Sequence, residues 1–110
     1  MEFYTRVAGV TFRNSDGKNR QGIIASTRGD EAISLIREPE NPYDSNAIMV
    51  LDSNGRQLGC IKKSIAAWLA PQMDSGKNVT AIISSISGGS EGYSYGINLR
   101  INCSCEDIFD

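Results

Sequence analysis

The sequence predicts a small, curved, mainly β barrel, and three observations carry that prediction. Short β-prone segments recur along the chain, separated by clusters of Gly, Asn, Asp and Ser. A single stretch has sustained helical spacing of its apolar residues. At 110 residues the chain suits one domain with a modest core. A hydrophobic content of 40% and a charged content of 22% are ordinary for a globular protein.

The elements follow in order. Phe3 to Phe12 is β-rich and predicts a long first strand, ended by the turn signal Asn14-Ser15-Asp16-Gly17-Lys18-Asn19. A one-residue slip of the alternation reverses the face of Phe12, so this ring is readable as core or as surface. Arg20 to Arg28 is open between loop and short helix, with Ile23, Ile24 and Ala25 as the apolar residues before Gly29-Asp30. Ala32 to Arg37 reads as a strand. Ala47 to Asp52 is a nearly continuous apolar run, as in a strand buried on both faces. Ser53-Asn54-Gly55 closes a hairpin onto Arg56 to Ile61. Ser64 is the candidate N-cap of a helix with Ile65, Trp68, Leu69 and Met73 on its apolar face. Pro71 should kink or tighten that helix, which should end by Ser75-Gly76. Lys77 to Ser87 and Tyr93 to Ile101 complete a set of six strands, with Ile97, Leu99 and Ile101 on one side. The segment 102–110 is an acidic tail.

Composition narrows the function. The formal charge is −2, but Glu106, Asp107 and Asp110 lie in the tail, so residues 1–101 carry 11 basic and 10 acidic side chains. That near balance is not the footprint of a tight duplex-DNA binder. No apolar run approaches the roughly 20 residues of a membrane span, and the N-terminus lacks the pattern of a signal peptide. Three cysteines, Cys60, Cys103 and Cys105, do not form a disulfide framework, so a reducing cytoplasm is expected. They are one ligand short of a structural zinc site and too closely spaced. With no histidine, Ser/His/Asp and Cys/His nucleophilic arrangements are excluded. Gly88-Gly89 lacks the Lys-Ser/Thr of a phosphate-binding loop. The chain reads as non-enzymatic, with no cofactor or metal implied.

The most informative stretch is Arg37-Glu38-Pro39-Glu40-Asn41-Pro42-Tyr43-Asp44-Ser45-Asn46-Ala47-Ile48. Its prolines forbid a helix, and its Asn and Asp side chains bond nearby backbone, which makes a rigid elbow. The elbow displays one aromatic ring and one carboxylate. It reads either as a binding loop or as a plain corner whose tyrosine packs inward.

This stretch resembles the core signature of the HIRAN domain family. Ala8-Gly9-Val10-Thr11-Phe12 is similar to that family's first strand, Gly55 to Ile61 to its Gly-x-x-Leu-Gly-x-Ile strand, and Ala66 to Asp74 to its helix. The resemblance spans about residues 3 to 101. It implies an OB-like six-stranded barrel with one or two short α-helices over residues 1–101. It also implies recognition of single-stranded DNA at a free 3′-hydroxyl end, in DNA repair or stalled-fork processing, often beside a helicase. By the same resemblance Tyr43 and Phe12 clamp the terminal bases, Asp44 accepts from the hydroxyl, Asn41 supports the loop, and Lys62 or Lys63 holds phosphate. Two positions depart from DNA-end readers of the family: Thr11 stands where an arginine is usual, and Cys60 where a histidine is usual. Tyr93 or Tyr95 are loose candidates for a further loop aromatic. A charge-assisted bond is worth about 1.5–3 kcal/mol, so losing two would weaken binding on the order of a hundredfold. The second reading is therefore a protein-interaction or regulatory module that kept the barrel, with a helicase or nuclease as a possible partner.

Overall fold

Six strands close into an antiparallel barrel in the computed structural model, which describes residues 1–105. In chain order the elements are β1 (Glu2–Ala8), α1 (Arg20–Ile24), β2 (Ala32–Arg37), β3 (Ile48–Leu51), β4 (Gln57–Ile61), α2 (Lys63–Asp74), β5 (Val79–Ser87) and β6 (Gly96–Cys103). Around the barrel the order is β1-β4-β3-β2-β5-β6, closed by β1 on β6. Two strands make the corners by changing partner. Residues 2–6 of β1 pair with β6 and residues 7–8 with β4. In β2, residues 32–33 pair with β5 and residues 34–37 with β3.

The interior follows from alternation. Val7, Ile48, Val50, Leu58, Ile61, Ile83, Ile97, Leu99 and Ile101 are buried, so the expected single face of β6 is the inner one. Leu69, Ala66 and Ala70 of α2 and Ile23 and Ile24 of α1 join the same core. Gly59 is where β4 passes closest to β1: a Cβ there would run into the Ala8 carbonyl and the Val7 side chain. Trp68 packs tilted on Phe3 with centroids 5.2 Å apart.

Several expectations are corrected. The first strand stops at Ala8, because Gly9 adopts φ +71 and a turn follows in which Phe12 N–H donates to the Gly9 carbonyl. Phe12 therefore stands on a turn, and strand alternation does not apply to it. β3 is buried on one face only: Met49 and Leu51 are half-buried and point outward, since a closed barrel has a single interior. Asp52 lies outside the strand, buried in the hairpin. The N-cap of α2 is Lys62 rather than Ser64, without a side-chain cap. Its buried stripe is Ala66, Leu69 and Ala70, with Ile65, Trp68 and Met73 at the margin. The helix continues through exposed Pro71 and ends at Ser75-Gly76, as expected. The last strand runs to Cys103, two residues beyond Ile101.

Among the cysteines, Cys103 is buried, and Cys60 is half-buried and free. Cys103 and Cys105 lie side by side, their Cα atoms 4.9 Å apart, because residues two apart at a strand end emerge on the same side. This pair lies at the β1 start and Cys60 beside Ala8 at the β1 end, about 20 Å away at strand rise. The three thiols therefore cannot share one ion. The acidic residues of the tail, Glu106, Asp107 and Asp110, lie outside the described residues.

Candidate functional site

The elbow is built by hydrogen bonds between near neighbours. Asn41 Oδ1 accepts from the backbone N–H groups of Tyr43 (2.9 Å) and Asp44 (3.1 Å). Asp44 Oδ1 accepts from Asn46 N–H at 2.9 Å. Asn41 N–H donates to the Glu38 carbonyl, and Ala47 N–H to the Asp44 carbonyl. These bonds hold Tyr43 outward at 91% exposure, so it is not an inward corner tyrosine. Asp44 is half-buried beside it, and its Oδ2 has no hydrogen-bond partner among the described residues.

Arg37 anchors this loop from beneath. Its Nε and one terminal nitrogen donate to the Asp74 carboxylate at 2.9 and 3.1 Å, and its terminal nitrogens also donate to the carbonyls of Ala47 and Ser45. The bonded guanidinium holds the Asp74 carboxyl below its ordinary value. The elbow is thus fastened to the C-terminal end of α2. Lys62 and Lys63 are exposed at the opposite end of that helix.

Phe12 is 65% exposed and is held by Arg20, whose guanidinium carbon lies 5.9 Å from the ring centroid. Arg20 donates to the Gly9 carbonyl at 2.8 Å and to Asn14 Oδ1 at 2.7 Å. Gln21 completes the fastening: its amide nitrogen donates to the carbonyls of Val10 and Tyr95, and its oxygen accepts from Tyr95 N–H. Tyr95 is half-buried with its ring over Gly89, whereas Tyr93 is exposed at the hairpin tip.

Between these two features runs one outward row of side chains set by register: Ala8, Cys60, Met49 and Ile36, across β1, β4, β3 and β2. Burial pushes the Cys60 thiol above its ordinary value; nearby Arg20 opposes the shift, Glu38 adds to it, and the Gln57 amide opposes it. The row is therefore a mildly apolar floor, with the Phe12–Arg20 turn following β1 and the elbow joining β2 to β3. A raised thiol pKa leaves less thiolate, the reactive form, at any given pH. Alkylation of Cys60 in the native protein at about pH 8 should be slower than in the unfolded chain, read by mass spectrometry. Equal rates would contradict this environment.

Sequence reasoning missed Arg37, Arg20 and Gln21 as the residues that position the loops. Arg20 in particular directly follows the polar turn of residues 14–19, yet it is buried. The one available signal was Arg37, a lone cation closing an apolar strand just before the elbow.

A closed β-barrel that presents aromatic rings and a carboxylate on two side-chain-fastened loops, over a shallow floor, has the architecture of a ligand-binding module. The chain belongs to the HIRAN domain family, whose model matches residues 1–106. The rabbit (Oryctolagus cuniculus) helicase-like transcription factor is 56% identical over 45 residues, which are 41% of this chain and 4% of that protein. The match thus spans a small fraction of its curated relatives' length. The crystal structure of the HIRAN domain of human HLTF superposes with a TM-score of 0.66 at 26% identity, covering 91% of this chain and 74% of that one. The NMR structure of the HLTF HIRAN domain in its DNA-bound conformation gives 0.63 at 26% identity, covering 93% and 73%.

Proposed function

We propose that this domain binds single-stranded DNA, preferentially at a free 3′-hydroxyl end, and performs no catalysis. The observation that carries the reading is the pairing of an almost fully exposed Tyr43 with a half-buried Asp44 that keeps one oxygen unengaged among the described residues. Bases stack on an exposed ring without regard to sequence. A carboxylate oxygen accepts from a terminal hydroxyl, whereas a phosphate there brings like charge and no donor. The DNA-bound HIRAN domain of HLTF supports the ligand class. Phe12 on its turn, with Lys62 and Lys63 at the start of α2, would supply the second stacking ring and phosphate neutralisation. The setting would be repair or stalled-fork processing in a cytoplasmic host, with a helicase or nuclease supplied by a partner.

The second reading, a protein-interaction module, draws on the floor itself. Met49, Ile36 and a protonated Cys60 give it apolar character, and Arg20 and Arg37 are consumed by internal bonds.

Fluorescence anisotropy separates the two readings. A 3′-hydroxyl oligonucleotide should bind about tenfold more tightly than its 3′-phosphate twin, the value of one well-formed charged hydrogen bond. Asp44→Ala should erase that difference. Equal affinity for the two oligonucleotides in the unsubstituted protein would remove the end-recognition reading. Binding of neither at low salt would remove DNA and leave the interaction module.

A further inference from the structure

On the barrel face made by β1, β6 and β5, register sets outward side chains in two rows, Arg6–Asn98–Ser85 and Tyr4–Arg100–Ile82. Between this face and the start of α2 lies a groove of about 460 Å³ whose lining includes Tyr4, Arg6, Lys62, Ser84, Ser85 and Asn98. No carboxylate of the described residues lines it. Neither Arg6 nor Lys62 has an ion-pair partner among the described residues. In a barrel of nearly balanced charge, two unopposed cations in one concavity make a local positive field. Asp30 lines a smaller neighbouring recess that shares Tyr4 and Ser84 with the groove.

The groove also has features that a bare cationic patch lacks. Tyr4 is 62% exposed on a strand, beside the cations, which is the combination that single-strand binders use. Asn98 Nδ2 donates to Ser85 Oγ at 3.0 Å, which fixes the amide beside the groove. Arg6 lies over Gly96, where any Cβ would collide with the guanidinium; glycine there lets the arginine lie flat on the sheet.

We propose that this groove binds the backbone and a base of single-stranded DNA upstream of its terminal nucleotides, so that the strand is held on two surfaces that meet at Lys62. The inference rests on the strand-end reading above. Topology supplies the path. Lys62 follows β4, which is flanked on one side by β3, where the elbow joins, and on the other by β1, which carries Arg6 and Tyr4. An acidic peptide would engage the cations but would leave the exposed ring and the Ser/Asn rim without a role, so a nucleic-acid strand fits better.

The test uses anisotropy with 3′-hydroxyl oligonucleotides of about four and about twelve nucleotides, within the span of single-strand sites on such barrels. The variants are Arg6→Gln and Tyr4→Ala, both outward-facing and outside the elbow site, with unchanged melting confirming their folds. Each should weaken the long oligonucleotide about tenfold and leave the short one unchanged. Arg6→Gln should also lower the salt dependence of the long one by about 0.7 in the log–log slope, one phosphate's worth for a single strand. Equal effects on both lengths, or on neither, would overturn the groove. Unchanged oligonucleotide affinity with lost binding to a poly-glutamate peptide would reassign it to an acidic partner and also overturn it. The 3′-phosphate comparison reports the end reading separately: if it shows no end preference while the long-oligonucleotide loss persists, the groove stands and the end reading falls. No binding at all overturns both.

Discussion

Asp52→Ala should destabilise the domain by about 3 kcal/mol, the middle of the range for leaving buried donors without their acceptor. Asp52 is 2% exposed and serves as the hub of the β3–β4 hairpin. Its Oδ1 accepts from the N–H groups of Asn54 (3.0 Å) and Arg56 (2.8 Å), and its Oδ2 from Arg56 Nε (2.8 Å). Alanine would strand two backbone donors in a tight turn and one guanidinium. The guanidinium matters least, because the Arg56 side chain is 37% exposed and can turn to water. Asp52→Asn should therefore cost less than alanine, since its oxygen still reaches both backbone N–H groups. Urea unfolding should show a lower midpoint with an unchanged slope. A loss below about 1 kcal/mol would show that water replaces the carboxylate in the turn. DNA binding by the folded fraction should persist, because the hairpin lies at the end of β3 opposite the elbow.

The contrast between what the sequence reveals and what it hides follows the distance over which each interaction acts. The elbow was legible because its bonds are local: Asn41 reaches residues two and three positions on, and Asp44 reaches two. Short side chains with one choice of nearby backbone encode themselves. The six strands were legible because alternation and turn residues act over the same short range, although Gly9 cut β1 four residues early by adopting a left-handed conformation. The residues that aim the site were not legible. Arg37 reaches Asp74 across 37 positions, Gln21 reaches Tyr95 across 74, and Arg20 reaches Gly9 across 11. An arginine looks the same in sequence whether it will face solvent or be spent inside, and Arg20 is spent inside once the chain closes. The Tyr4–Arg6 groove was hidden for the same reason. Its lining comes from strands at both ends of the chain, and register alone brings them together.

Arg20→Met should separate a buried positioning residue from a phosphate contact. Arg20 is 8% exposed; it ties the Gly9 carbonyl, Asn14 Oδ1 and the face of Phe12 together, and Asn14 in turn donates to the Gln57 carbonyl on β4. Methionine keeps much of the stem volume but removes both hydrogen bonds and the cation over the ring. The expected cost is about 2 kcal/mol, because two acceptors lose their donor and one lies at a turn that water can partly reach. Phe12 then loses the surface on which it rests, so oligonucleotide affinity should fall about tenfold, within the range for losing one stacked base. Phe12→Ala should reproduce the affinity loss with little change in stability, because the ring is mostly exposed. Arg20→Lys should fall between, since an ammonium cannot hold the two acceptors and the ring at once. The decisive measurement is the salt dependence. A guanidinium on phosphate would lower the log–log slope by about 0.7 when removed, whereas a residue that only holds Phe12 should leave the slope unchanged while affinity drops. A lowered slope with full thermal stability would make Arg20 a direct DNA contact, and its burial against Gly9 would then have to open when the strand binds.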